Sequence, residues 1–349
     1  MKSVILIVCV MAISLGSAAM AVTIETVPVG DLGNVGEVSG NGINVPYRTC
    51  GAVNYRYNIG KYEVTNTEYA EFLNAVADVG DANGLYNTGM GGGWNDIGGI
   101  SRTGLGTGGA PWVYSPRVNR GNRPVNYVSV YDMFRFANWL TNGQPSGPQG
   151  NGTTEMGSYT LTGPTSAASL PDHAALAAGT TTKWLLTSED EWYKAAYYKG
   201  GGTNAGYWDY PTQSDTAPTA ESPAGTDSIN GSANYYDGGY VDATYYSTEV
   251  GAYDDKPSDS PYGTFDQGGN FWESNDTIII LNNVSGNGVR GSSYGEFDLA
   301  NMRSSNRGWL LPTVDNQHIG FRVAEVPEPA TMAILMLGGI GILSRRRKQ

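Results

Sequence analysis

The sequence is poor in cysteine, histidine and charge. It has two cysteines in 349 residues. Cys9 lies in an apolar N-terminal run, so removal of that run would leave Cys50 alone and exclude an intrachain disulfide. Such a domain must rely on its core, or on bound metal, for stability. There are two histidines, His173 and His318, in separate segments. Charged residues make up 15% of the chain, with 21 Lys+Arg against 33 Asp+Glu and a net charge of -12. Five of the basic residues (Lys2, Arg345, Arg346, Arg347, Lys348) but one acid (Glu328) lie in the end segments, so the middle of the chain is nearer -16. That surface repels nucleic acid and favours cations, although solubility alone is an equal account of it. There is no phosphate-binding loop and no zinc spacing. No Ser–His–Asp constellation can be argued from spacing.

Glycine and aromatics are plentiful: 49 Gly, 23 Tyr and 8 Trp. This composition suits a loop-heavy domain with aromatic packing, not a helical bundle. Residues 1–21 read as a signal peptide: Lys2, an apolar run from Val4, and a small-x-small site at Ala19-Met-Ala21. An uncleaved anchor is the alternative. The other end reads Val326-Pro327-Glu328-Pro329, then an apolar stretch from Ala330 to Leu343, then Ser344 and the basic run Arg345-Arg346-Arg347-Lys348. Fourteen apolar residues span about 21 Å as a helix at ~1.5 Å per residue, short of the roughly 30 Å hydrocarbon core. The arginines would hold this end on the cytoplasmic side. The segment can pause a chain in the inner membrane but makes a poor permanent anchor.

Between the ends, Gly80–Gly109, Gly143–Gly163 and Gly200–Gly231 read as long loops of one domain over residues 22–325. Three helices carry start signals. Thr65-Asn-Thr-Glu68 and Ser188-Glu-Asp-Glu191 are capping boxes, and Ser129 with Asp132 opens the third helix. Strands are expected at Tyr57–Val64, Lys183–Leu186, Thr277–Leu281 and Gly320–Ala324. The sum is a mixed α+β domain with much irregular chain.

Six segments in order resemble the sulfatase-modifying factor family, that is, the formylglycine-generating-enzyme-like domain. They are Ile59-Gly-Lys-Tyr-Glu-Val-Thr-Asn66, Arg123-Pro-Val-Asn-Tyr-Val-Ser-Val-Tyr-Asp132, Trp184-Leu-Leu-Thr-Ser-Glu-Asp-Glu-Trp192, Tyr262 to Glu273, Val289-Arg-Gly-Ser-Ser-Tyr294 and His318-Ile-Gly-Phe-Arg322. The resemblance implies a C-type-lectin-like α+β fold with little regular structure. The C-terminal tail is similar to a PEP-CTERM sorting signal, which implies an envelope, recognition by an exosortase-type enzyme, and release to the cell surface or matrix. A simple tail anchor is the alternative.

The family's oxidase members carry a copper-binding cysteine pair just after the fifth segment. In register from Arg290, Glu296 and Asn301 stand at those positions, and no cysteine occurs after Cys50. A carboxylate and an amide cannot replace two soft thiolates for Cu(I). A second branch holds iron with three histidines, and this chain has two. Neither copper nor iron is therefore expected. The resemblance also implies two Ca²⁺ positions. One would use Gly269, Phe271 and Glu273; the other Asn234 and Tyr235, with Asp242 as its acid. Hard oxygen ligands suit Ca²⁺, but Glu273 and Asn270 could instead satisfy buried loop backbone.

Trp139, Trp192 and Trp272 are expected in the core, and His318 at the surface or hydrogen-bonded. Arg322 is expected in a buried ion pair with Glu189 or Glu191, unless those two merely cap a helix. The chain thus reads as an exported binding or matrix protein without the oxidase site, taking a glycan or matrix polymer. A calcium-stabilised structural component and an enzyme of altered chemistry are the alternatives.

Overall fold

A computed structural model describes residues 21–40, 45–225, 229–254 and 257–327. Residues 1–20 of the expected signal peptide and the tail residues Glu328, Pro329, Arg345, Arg346 and Arg347 lie outside the described residues; Pro327 is the last one inside.

Three helices start where their polar caps predict. In α1 (Asn66–Val76), the Thr65 side chain accepts from the Glu68 amide while Glu68 reaches back to the Thr65 amide. Ser129 and Asp132 do the same for α2 (Val130–Thr141). In α4 (Glu189–Tyr197), Ser188 and Glu191 repeat the device. Each box satisfies two helix-end donors that would otherwise be orphaned. A fourth helix, α3 (His173–Ala177), carries no capping box and was not expected; Asp172 caps it.

Two four-stranded sheets form the framework. In chain order the strands are β1 (Thr26–Val29), β2 (Tyr57–Gly60), β3 (Lys183–Leu186), β4 (Trp272–Leu281), β5 (Val284–Arg290), β6 (Gly308–Leu310), β7 (Ile319–Gly320) and β8 (Val323–Val326). The first sheet runs β1-β2-β8-β3 and is antiparallel throughout, with Ala324 opposite both Ile59 and Leu185. The second runs β6-β5-β4-β7, and its β4–β7 pair is parallel. Short hairpins and irregular loops fill the rest, such as Ile100–Thr103 with Val113–Pro116. The fold is α+β with little helix, as expected.

Three strand boundaries differ from expectation. The first expected strand stops at Gly60, and Glu63 and Val64 lie beyond it. The strand expected from Thr277 begins at Trp272 and bulges between Ser274 and Ile278. The expected strand Gly320–Ala324 is two strands in different sheets, with Phe321 and Arg322 at the crossing. A strand pattern of period two cannot show that crossing, because both halves bury apolar side chains.

The core is aromatic between α1 and α2. Phe72 meets Phe136 edge-on at 5.4 Å, and Phe136 meets Phe321 likewise at 5.6 Å. Such tilted pairs add to the area they bury. Trp139 and Trp192 are buried as expected, whereas Trp272 is half-buried.

Candidate functional site

Arg322 is fully buried and grips Glu273: Nε and Nη2 donate to the two carboxylate oxygens, each at 2.6 Å. Trp192 Nε1 donates to the same carboxylate at 2.8 Å. The expected partners of Arg322 were Glu189 and Glu191, and the structure corrects this. Glu189 lies among Arg290, Arg307 and Arg48 instead. Glu191 binds His173 at 2.9 Å and caps α4. The β4 bulge re-aims the chain so that Asp276 takes the other nitrogen of His173 at 2.7 Å.

The positions expected to hold calcium fall into two groups. Gly269, Phe271 and Glu273 lie on one stretch with Asn234 packed against it. Asn270 donates its backbone N–H to the Asn234 carbonyl at 2.8 Å. Gly269 has φ +86°, and a Cβ there would stand 2.4 Å from the Asn234 oxygen, so glycine is required. Tyr235 and Asp242 are engaged elsewhere. The Tyr235 hydroxyl donates to the Pro218 carbonyl, and Asp242 lies 3.2 Å from Arg123 while accepting from the Thr244 and Tyr245 amides.

Two further acids, Glu63 and Asp266, lie near Glu273. Burial, then Glu273 and Asp266, push the Glu63 carboxyl well above its ordinary value. Glu63 Oε2 accepts from Asn270 at 2.8 Å, while its buried Oε1 has no partner. Burial pushes Asp266 up to about 6. These acids share Arg322 as a counter-charge. Among the described residues no three His, Cys, Asp or Glu side chains converge as a metal cage. The residues therefore fit calcium only with backbone carbonyls, such as those of Gly269 and Phe271, supplying most of the ligands.

Glu296 and Asn301 are brought together: Asn301 Nδ2 donates to Glu296 Oε2 at 3.3 Å. Trp272 Nε1 donates to Glu296 Oε1 at 3.3 Å, and Asn306 donates to the Asn301 oxygen at 2.6 Å. The pair offers hard oxygen and amide donors where copper needs thiolates, so the residues do not fit Cu(I).

An aromatic face adjoins this pair, and the sequence pattern did not reveal it. Tyr294 stacks on His318 at 4.8 Å and touches Tyr246 and Tyr240. Trp94 packs on Tyr246 at 5.5 Å. Trp94 and Tyr240 are exposed at 43% and 38%, so the cluster reaches solvent. The buried Tyr294 hydroxyl has no hydrogen-bond partner. Burial lowers the His318 pKa, against the opposing charge of Glu296. Its Nδ1 lies 3.3 Å from the buried Ser293 hydroxyl. These residues come from four separated segments, and tyrosine abundance is the one signal of them in the sequence.

The domain, α+β in layout, also matches a family model. Residues 29–326 match the Sulfatase-modifying factor enzyme 1-like domain, and the chain belongs to that family. Residues 325–348 match the PEP-CTERM protein-sorting motif, which indicates an exported protein sorted at the membrane and processed by an exosortase system. No curated protein sequence matches the chain. Solved structures similar to the chain include the following three. Treponema denticola variable protein 1 is 18% identical over 89% of this chain and 98% of its own, with TM-score 0.49. CarF is 17% identical over 86% and 98%, with TM-score 0.44. PvdO from Pseudomonas aeruginosa is 19% identical over 86% and 91%, with TM-score 0.45. Among the described residues no helix is long and apolar enough to cross a membrane.

Proposed function

We propose that the mature domain is a non-catalytic binding module that takes a glycan or matrix polymer on the aromatic face of Trp94, Tyr240 and Tyr246. The observation that carries this reading is the exposure of Trp94 and Tyr240 beside Glu296 and Asn301, where the oxidase chemistry would need thiolates. Aromatic rings flanked by amide and carboxylate groups suit sugar rings and their hydroxyls. Calcium is proposed at Gly269, Phe271 and Glu273 as a structural ion offsetting Glu63 and Asp266, and the second expected position is not retained. Delivery is proposed through the Sec translocon, with transient inner-membrane insertion of the C-terminal apolar stretch before the exosortase acts.

Catalysis by altered chemistry is the second reading, and the Ser293–His318 contact is the observation in its favour. Ser293 is fully buried, and among the described residues no carboxylate bonds to His318. Both points weigh against a nucleophile there.

The test pairs two assays on the purified mature protein. In one, a Cys-x-Pro-x-Arg peptide is incubated with the protein, Ca²⁺ and Cu, and read by mass; the expected result is an unchanged peptide, and an aldehyde product would sink the reading. In the other, a glycan panel is probed with wild type and Trp94→Ala. Binding that Trp94→Ala abolishes supports the reading, and no binding by wild type counts against it.

A further inference from the structure

Beside the aromatic face lies an open pocket of about 480 Å³, lined by Asp96, Arg117, Arg120, Ser101, Thr244 and Tyr245. It stands out because the rest of the protein is acidic. Three arginines, Arg117, Arg120 and Arg123, fall within seven residues of a chain that has 21 Lys+Arg in all.

Arg120 is the unusual one. Its residue is 5% exposed, yet no carboxylate pairs with it among the described residues. Its one hydrogen bond runs from Nη1 to the Ile97 carbonyl at 3.1 Å. Nε and Nη2 make no bond and are not shut away from solvent, so they are the donors left to the pocket. Its neighbours already have partners. Asp96 binds Arg117 through both oxygens, at 2.7 and 2.9 Å, and Asp242 lies 3.2 Å from Arg123. Arg117 and Arg123 thus have carboxylate partners, and Arg120 has none among the described residues. Its Nε and Nη2 donors therefore face solvent and are open to a ligand that offers acceptors.

The pocket wall is built. Asp242 accepts from the Thr244 and Tyr245 amides, which fixes the turn. Asn119 donates to the Tyr245 hydroxyl at 3.0 Å. The Tyr245 ring is thereby held over Arg120 at 5.0 Å and over Arg123 at 4.2 Å. Ser101 and Thr244 add hydroxyls, and Val118 beside them is 85% exposed. The pocket also shares its framework with the aromatic face. Trp94 and Asp96 sit on one turn, Tyr245 and Tyr246 are adjacent, and Asn95 donates to the Tyr246 hydroxyl at 3.1 Å.

We infer that this pocket binds a single, singly charged oxyanion on a sugar, a uronate carboxylate or a sulfate ester, while neighbouring sugars rest on the aromatic face. A single guanidinium without a carboxylate partner, Arg120, matches a monoanion. The acidic surface around it disfavours a densely charged polyanion. Planar guanidinium donors suit a carboxylate or sulfate. The ring of Tyr245 and the two hydroxyls suit a sugar body better than a bare ion. The inference rests on the binding reading above for its ligand class, though not for its charge.

The test is a calorimetric titration of the mature protein with methyl glucuronide, methyl glucoside sulfate, methyl glucoside, sodium sulfate and an acidic peptide. The acidic sugars are expected to bind at least tenfold more tightly than the neutral glucoside or the free ion, and less tightly as salt rises. Arg120→Met is expected to remove that preference. Since Arg120 is buried, Asp96→Asn provides a second arm. It removes an exposed carboxylate at a left-handed residue that asparagine tolerates, so acidic sugars should bind severalfold more tightly. Equal affinity for glucuronide and glucoside overturns the inference, as does a folded Arg120→Met or Asp96→Asn protein with unchanged affinity. Preference for the peptide overturns the sugar assignment. Neutral-glycan binding lost in Trp94→Ala, without acid preference, leaves the binding reading standing and this one refuted. Acid-sugar binding that ignores Trp94→Ala does the reverse.

Discussion

Asn301 donates to Glu296 across 3.3 Å, so the two residues that the family resemblance sets at its cysteine positions touch each other. Their side chains are close enough to share one ion, but their ligand atoms are hard oxygen and amide. The double substitution Glu296→Cys with Asn301→Cys should create a thiolate pair that takes up Cu(I), because soft sulfur ligands select it. Wild type should take up none. Competition against a chromophoric Cu(I) chelator reads this directly. Equal uptake by the two proteins would mean that copper binds somewhere else.

Glu189 is the hub of a buried charge network. Arg307 donates to it twice, at 2.7 and 2.6 Å, and Arg290 Nε donates at 3.0 Å. Burial pushes this carboxyl up, but Arg290, Arg307 and Arg48 outweigh it and hold it at about 2. The folded value is depressed, so the network's contribution is present above the unfolded carboxylate range and fails only as pH falls toward 2. Glu189→Gln should cost about 3–5 kcal/mol, because it leaves buried guanidinium groups uncompensated. Arg48→Met should cost under about 1 kcal/mol, since the Arg48 side chain is 34% exposed. Urea unfolding at pH 7 compares the two; equal costs would remove the hub assignment.

The surplus acid around Glu63, Asp266 and Glu273 predicts that calcium stabilises the fold. At a hundred times Kd, a ligand that binds only the folded state adds about 2.7 kcal/mol. For a domain of this size that shifts Tm by roughly 4 °C. Scanning calorimetry with calcium and then with excess chelator measures it. An unchanged Tm would remove calcium from the account.

Local signals carried the helices. Thr65 with Glu68 and Ser188 with Glu191 mark their helix starts, because capping is a contact between residues three apart. The pairings that hold the site are long-range and were not legible. Arg322 lies two residues after the motif glycine Gly320, but its partner Glu273 lies 49 residues earlier, and Glu189 and Glu191 carry the same charge. Only the crossing of the chain between sheets at Phe321 and Arg322 decides among them. The aromatic face is harder still, since Trp94, Tyr246 and Tyr294 lie on different loops with no shared period. By contrast, the absence of thiolates at Glu296 and Asn301 was readable from composition, as an absence needs no geometry.

His173 predicts a pH dependence of stability. Its ring lies between Glu191 at 2.9 Å and Asp276 at 2.7 Å, with the Tyr159 hydroxyl on Asp276 and the Tyr55 hydroxyl on Glu191. Burial opposes the charged ring, but Asp276 and Glu191 together raise its pKa well above the usual value. A raised folded pKa means that the stabilisation is complete below the unfolded value of about 6.5 and drains as pH climbs through the folded value. Glu191 has the opposite sign. Burial pushes it up, His173 outweighs burial, and its contribution fades as pH falls through its depressed folded value. The cluster should therefore stabilise most near pH 5 to 6, between the two unfolded values of about 4.3 and 6.5. His173→Leu should cost about 3–5 kcal/mol there, because it strands two buried acids, and distinctly less by pH 9. Urea midpoints of wild type and variant across pH 5 to 9 give the difference. A gap that stays constant or widens with pH would show that the ring is neutral in the folded protein and that packing alone makes the site.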